Sequence, residues 1–284
     1  MRLTLYTLLD ENHCLWYLDL FKLCYRPTRD CPKLMTLAIL SSRIHIETKN
    51  TILGICTEGK LWKCNLVHDS VNFELVELQL QLRDICVMAD GEILVLDVDD
   101  NLRVLSNLSN TIMTNVKYIV PNFEFGTKYS SLTCMIVSDR ISCYNVGGVL
   151  SEISIDAIII RESVIVDSNN IAHINNRLIS VGEVTDIAVM NDTVVIIDTD
   201  DKLWIVTERT RTHIPLSAKR IINVMRMAIL VEDLDGGVHI IDAIEDPFID
   251  GITEAIRFKL GFKLLDLTCC LTGNAQTHVN QSEN

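Results

Sequence analysis

Proline and glycine are scarce in this 284-residue chain, with 5 Pro and 12 Gly. That scarcity excludes a collagen-like or low-complexity array, and 48% hydrophobic against 22% charged residues exclude a largely disordered chain. Long apolar runs are missing too. Stretches such as 157–160 and 227–231 stop at charge, far short of the roughly 18 residues a spanning helix needs. The opening Met1-Arg2-Leu3 and its apolar continuation lead into Asp10-Glu11-Asn12, where a signal peptide would have a small-residue cleavage site. The expectation is therefore a soluble protein without membrane attachment.

Motifs that carry chemistry are also lacking. No two of the 10 cysteines are spaced C-x-x-C, and the 7 histidines form neither H-E-x-x-H nor His-x-x-x-His. There is no Gly-x-Ser-x-Gly elbow and no G-x-G-x-x-G loop. Gly54 to Lys60 has the spacing of a phosphate loop, but Leu61 stands where Ser or Thr would hold Mg²⁺, and Glu58 would repel phosphate. No catalytic residue and no cofactor is nominated.

Charge is one-sided. Against 38 Asp+Glu stand 25 Lys+Arg, a formal net charge of −13, which repels nucleic-acid backbones and anionic lipid. The densest basic stretch, Arg209 to Arg226, is interrupted by apolar residues. Most cysteines lie in apolar stretches such as Asp84-Ile85-Cys86-Val87-Met88, where a thiol behaves as a small hydrophobe. Reduced thiols imply an intracellular location, cytoplasmic or nuclear.

What is present is a repeat. Val194-Val195-Ile196-Ile197-Asp198-Thr199-Asp200-Asp201-Lys202-Leu203-Trp204 aligns without a gap on Ile93-Leu94-Val95-Leu96-Asp97-Val98-Asp99-Asp100-Asn101-Leu102-Arg103. Upstream, Asp186 to Asp192 matches Asp84 to Asp90 with one residue of slack, which adds a third strand to the unit. An Asp/Asn/Gly turn between Val/Ile/Leu runs is the chemistry of a tight hairpin, because those residues tolerate positive φ or bond their own backbone. Related hairpins fall near 9–18, 52–64, 93–105, 135–144, 164–174, 194–206 and 229–241. The first apolar residues after their turns are Leu15, Leu61, Leu102, Ile141, Ile171, Leu203 and Val238, at intervals of 46, 41, 39, 30, 32 and 35 residues. Trp16, Trp62 and Trp204 each follow such an anchor directly.

Strands apolar on both faces, such as 194–197, must be covered on both sides, and one small unit cannot do this alone. The expected fold is all-β, a seven-bladed β-propeller of short antiparallel blades in a single domain over 1–273. A disordered tail is expected over 274–284. Late strand material from Phe258 to Leu271 and early material at 3–6 suit a shared closing blade. The run Val184-Thr185-Asp186-Ile187-Ala188-Val189, then Val194 to Asp198, then Asp201-Lys202-Leu203-Trp204, resembles the repeats of the regulator of chromosome condensation family. The resemblance spans about residues 3 to 271 and implies a seven-bladed propeller acting as a protein-binding platform, with activity set by surface loops.

Two sets of residues stand out as candidate sites. Asp97, Asp99, Asp198 and Asp200 offer oxygens of the type that binds Ca²⁺, although strand resumes at once after each turn. The poorly periodic stretch from Asn107 to Ser131 carries Tyr118, Phe123, Phe125 and Tyr129, aromatic candidates for an interface. A second insertion, 67–83, alternates apolar and polar and reads as an outermost strand. The leading functional expectation is a non-catalytic interaction scaffold for a protein partner. The alternatives are a self-assembling component of a large complex or viral particle, and an enzyme with a loop-built site at a central channel.

Overall fold

The structure, a computed structural model, describes residues 4–10, 12–19, 24–27, 32–40, 51–67, 70–88, 90–122, 133–145, 147–161, 164–174, 177–190, 193–225, 228–242, 255–258 and 264–271. Among them every regular element is a strand, so no helix there is long and apolar enough to cross a membrane. Phe123, Phe125, Tyr129 and the tail 274–284 lie outside the described residues.

The chain lays down antiparallel sheets one after another. The first three strands are β1 (Thr4–Asp10), β2 (Leu15–Asp19) and β3 (Cys24–Pro27). Next come β4 (Leu34–Leu40), β5 (Thr51–Cys56), β6 (Leu61–Val67) and β7 (Ser70–Val76), then β8 (Leu82–Val87), β9 (Ile93–Asp97), β10 (Leu102–Val104) and β11 (Asn107–Met113). The fourth sheet holds β12 (Tyr118–Asn122), β13 (Thr133–Val137), β14 (Ile141–Asn145) and β15 (Val149–Ile153). The fifth holds β16 (Ala157–Arg161), β17 (Val164–Asp167), β18 (Ile171–Ile174) and β19 (Arg177–Ser180). The last holds β20 (Val184–Met190), β21 (Thr193–Asp198), β22 (Lys202–Val206), β23 (Arg211–Met225), β24 (Ala228–Asp233), β25 (Val238–Asp242) and β26 (Ala255–Phe258). Finally, β27 (Leu264–Leu271) returns to pair with β1 over Thr4↔Leu271 to Asp10↔Leu264.

Strand faces alternate between two neighbours, which explains the doubly apolar sequence. In β5 every residue is buried. Ile52 and Cys56 pack with Leu15 on one side, whereas Leu53 and Ile55 pack with Leu82, Ile85 and Val95 on the other. Likewise Val194 and Ile196 face Val164 and Val166, while Val195 and Ile197 face Ile221, Ile229 and Val231. Each such side chain gains roughly 1.5–3 kcal/mol from burial, and only an adjacent sheet supplies the cover. Strands of successive sheets touch: β27 with β4, β4 with β8, β8 with β12, β17 with β20, and, from the middle of the last sheet, β23 with β27. Small antiparallel sheets thus circle a common axis in a β-propeller arrangement.

The expectation of a seven-bladed propeller is corrected. Five four-stranded sheets stand apart, and the last two hairpins share one seven-stranded sheet. The reason is β23, 15 residues without an interrupting turn, whose first part pairs with β22 and whose second part pairs with β24. Pro215, which has no N–H to give, sits where the β22–β23 register slips between Lys202↔Ser217 and Leu203↔Ile214.

Two further corrections concern the repeat. The supposed loop from Asn107 to Ser131 contains strands β11 and β12 among its described residues. In the fifth hairpin Val166 pairs with Ala172, so Ala172 occupies the anchor position and Ile171 is the last residue of the turn. Ser70–Val76, inside the second insertion, is the outermost strand of its sheet.

Candidate functional site

A five-residue turn joins the two middle strands of most sheets, and its first residue organises it. The Asp97 carboxylate accepts the backbone N–H groups of Asp99 (3.0 Å) and Asn101 (2.8 Å) and the Arg103 Nε–H (3.0 Å). Asp167 accepts from the amides of Asn169 and Ile171 and from His173 Nε2 at 2.8 Å. Asp198 accepts from Asp200, Lys202 and, at 2.7 Å, Trp204 Nε1. Asp233 accepts from Asp235, Gly237 and His239 Nε2. One rule covers four turns: a carboxylate takes the amides two and four residues on and a side-chain N–H six residues on.

The fourth residue of the turn adopts positive φ: His13 (63°), Gly59 (74°), Asp100 (64°), Asn170 (60°), Asp201 (61°) and Gly236 (79°). That left-handed conformation aims its carbonyl at the next sheet. His13 O accepts from Leu34 N, Gly59 O from Leu82 N, Asp100 O from Val116 N, Asn170 O from Val181 N, and Asp201 O from Ala218 N, all at 2.8–3.0 Å. At Gly59 a Cβ would lie 2.9 Å from Gln81 Cβ and 3.1 Å from Leu82 O, so the glycine is needed for space as well as for φ.

These contacts set the electrostatics. Burial works to raise the Asp97 carboxyl, but bonds from the Asn101 amide, Arg103, the Asn101 side chain and the Asp99 amide together hold it below the usual value of 3.8. Asp198 is likewise lowered, its bonds from Lys202, Trp204 and Asp200 outweighing desolvation. His173 holds Asp167 down. The Ca²⁺ candidates therefore divide. Asp97 and Asp198 are occupied as turn organisers in different sheets, while Asp99 and Asp200 are exposed at the tips, Asp200 beside Lys202 at 3.0 Å. Among the described residues no three His, Cys, Asp or Glu side chains converge as a metal would require.

The second sheet departs in one atom group. Cys56 stands where the other turns have Asp, and the Trp62 Nε1–H, six residues on, is buried without a hydrogen-bond partner. Elsewhere arginines tie sheets together. Arg161 donates to the Asp186 carboxylate and the Ile221 carbonyl, and Asp186 Oδ2 accepts the Ile221 amide at 2.6 Å. Arg83 donates to the carbonyls of Val116 and Lys117 and pairs with Asp100 at 2.8 Å. Between the third and fourth sheets, burial and the bond to Glu92 push Tyr144 up to about 12.

The fourth sheet breaks the rule. Val137 pairs with Ile141, leaving only Ser138, Asp139 and Arg140 in the turn. Two residues are gone, and with them the organising carboxylate and the left-handed carbonyl. The closing bond of the longer turns, from the first amide to the last carbonyl, is kept, with Ser138 N donating to Arg140 O at 2.9 Å. A groove of about 610 Å³ opens at this point between the fourth and fifth sheets. Its walls include Tyr118, Asp139, Arg140, Glu152, Asp156 and Ile158. Tyr118 is 43% exposed and Ile158 55%, both large apolar side chains on inner-edge strands. Arg140 pairs with Glu152 at 3.0 Å, and Asp139 pairs with Lys117 at 3.2 Å.

Of the aromatic interface candidates, Tyr118 alone falls within the described residues, and it lines this groove. Ile158, Asp156 and the shortened turn were missed by sequence reasoning. The available signal was length: the segment from Val137 to Ile141 is two residues shorter than its equivalents.

No family model matches the chain, and no curated protein matches it. Solved structures do. A candidate 6-phosphogluconolactonase from Bacteroides uniformis superimposes with a TM-score of 0.58 at 11% identity, covering 94% of this chain and 99% of that one. AztD from Citrobacter koseri gives 0.53 at 12% identity, covering 96% and 99%. What is shared at such identities is the fold. The chain is an all-β propeller.

Proposed function

We propose that this chain is a non-catalytic platform for protein–protein interaction, of the kind its resemblance to the regulator of chromosome condensation family implies. The thiols of Cys56, Cys86 and Cys134 lie in apolar core, consistent with an intracellular protein.

The observation that carries the reading is the groove beside the shortened turn. Its volume of about 610 Å³ is in the range of ligand and peptide sites. It brings two exposed apolar side chains, Tyr118 and Ile158, into one concave wall. Apolar anchors in a concave, polar-rimmed site are what interfaces use for affinity.

The test is affinity purification with the full chain, comparing wild type with the double variant Tyr118→Ala/Ile158→Asp. A partner recovered by wild type should be lost from the double variant at an unchanged melting temperature. Leu178→Asp, on the outermost strand of the fifth sheet where Leu178 is 63% exposed, should leave recovery intact. Equal recovery by wild type and the double variant overturns the proposal.

A further inference from the structure

Resting on that reading, we infer that the groove between the fourth and fifth sheets takes a peptide segment in which an apolar side chain lies next to a lysine or arginine. The chemistry follows from the walls. Three carboxylates line the groove, Asp139, Glu152 and Asp156, against one cation, Arg140. Arg140 is committed to Glu152, and Asp139 reaches out to Lys117 with its side chain 94% exposed.

Asp156 remains. It sits in the link between β15 and β16, and its backbone carbonyl accepts the Ser168 amide at 3.0 Å, which fixes the main chain. Its exposed carboxylate has no cation partner among the described residues. Two positions along, Ile158 is exposed in the same wall. An incoming segment that sets an aliphatic side chain between Ile158 and Tyr118 brings its neighbouring side chain to Asp156. A cation there gains an ion pair. A carboxylate or phosphate meets like charge, so an acidic segment and a nucleic acid are disfavoured at this site.

The experiment uses the full chain and two labelled octapeptides, Gly-Ser-Leu-Lys-Leu-Lys-Ser-Gly and its counterpart with Glu for Lys, titrated by fluorescence anisotropy. The Lys peptide should bind about fivefold more tightly, the scale of a partly exposed ion pair. The overall negative charge of the chain favours any cation, so Asp156→Lys is compared with Glu74→Lys, the same charge change on the outermost strand of the second sheet. Asp156→Lys should erase the preference and Glu74→Lys should keep it. An equal effect of the two substitutions, an unchanged preference in Asp156→Lys, or no binding of the Lys peptide overturns the inference. Because the platform reading is tested separately through Tyr118 and Ile158, recovery that depends on those residues but not on Asp156 would refute only the cation.

Discussion

The junction between the fourth and fifth sheets and the junctions on either side of it are made of the same strands in the same order, yet they differ in how they are joined. At five other turns a left-handed residue, from His13 to Asp201, hands its carbonyl to an amide further along the chain, at or just before the start of the next sheet in four cases and within β23 in the fifth. Where the turn is two residues shorter, the left-handed carbonyl that would accept such an amide is missing, and a groove opens at the surface. Beneath it the sheets keep buried apolar faces, Met135 being 3% and Ile165 6% exposed. The propeller is thus coupled twice, by apolar faces in depth and by turn carbonyls at the rim. A site is obtained by omitting the second coupling while keeping the first.

Acid should break this contrast most severely, because it strikes several organised turns at once and spares the shortened one. The carboxyls of Asp97, Asp167 and Asp198 have folded-state pKa values below the ordinary 3.8. Depressed pKa values contribute stability that is fully present above the unfolded value and lost as pH falls through the folded one. Melting temperature should therefore hold down to about pH 5 and fall steeply below about pH 4, with a shallower fall in Asp97→Asn. A flat profile through that window would remove the turns from the stability account.

Single substitutions sharpen the same contrast. Asp97→Ala strands the amides of Asp99 and Asn101 and the Arg103 guanidinium, and should cost about 3 kcal/mol in urea denaturation. Asp139→Ala, in the shortened turn, should stay within about 0.5 kcal/mol. The smallest effect has the opposite sign. Cys56→Asp installs the missing carboxylate opposite Trp62 Nε1 and should add about 1 kcal/mol, read as a higher melting temperature. No gain would mean that the cysteine's burial outweighs the restored hydrogen bond.

Much of the propeller could be read in the chain before its structure, and the limits of that reading are physical. The pairing of 194–197 with a tight acidic turn was plain, because strand faces buried on both sides leave a continuous apolar run. The shared position of Trp16, Trp62 and Trp204 was visible, but its reason was not. Arg103, His173 and His239 hold the same place as Trp204, and what unites them is an N–H at the right reach, which does not appear as residue similarity. The left-handed residue is equally disguised, since His13, Gly59, Asn170 and Asp201 have little in common beyond φ. The fused last sheet was hidden because the one interruption in β23, Pro215, is absorbed as a register slip instead of ending the strand. The groove is the product of an omission. It becomes legible only when the five-residue turn is known to be the norm, and neither Asp156 nor Ile158 has a sequence signature of its own.

The pairing of β27 with β1 has a consequence for synthesis. Of the two hydrogen-bonding neighbours of Thr4–Asp10, one, Leu264–Leu271, is translated some two hundred and sixty residues later. Throughout elongation that edge offers unsatisfied amides and carbonyls to any passing strand. The ring is fastened only when β27 clasps β1, so a nascent chain that has not yet reached Leu264 carries an open seam that the finished protein does not.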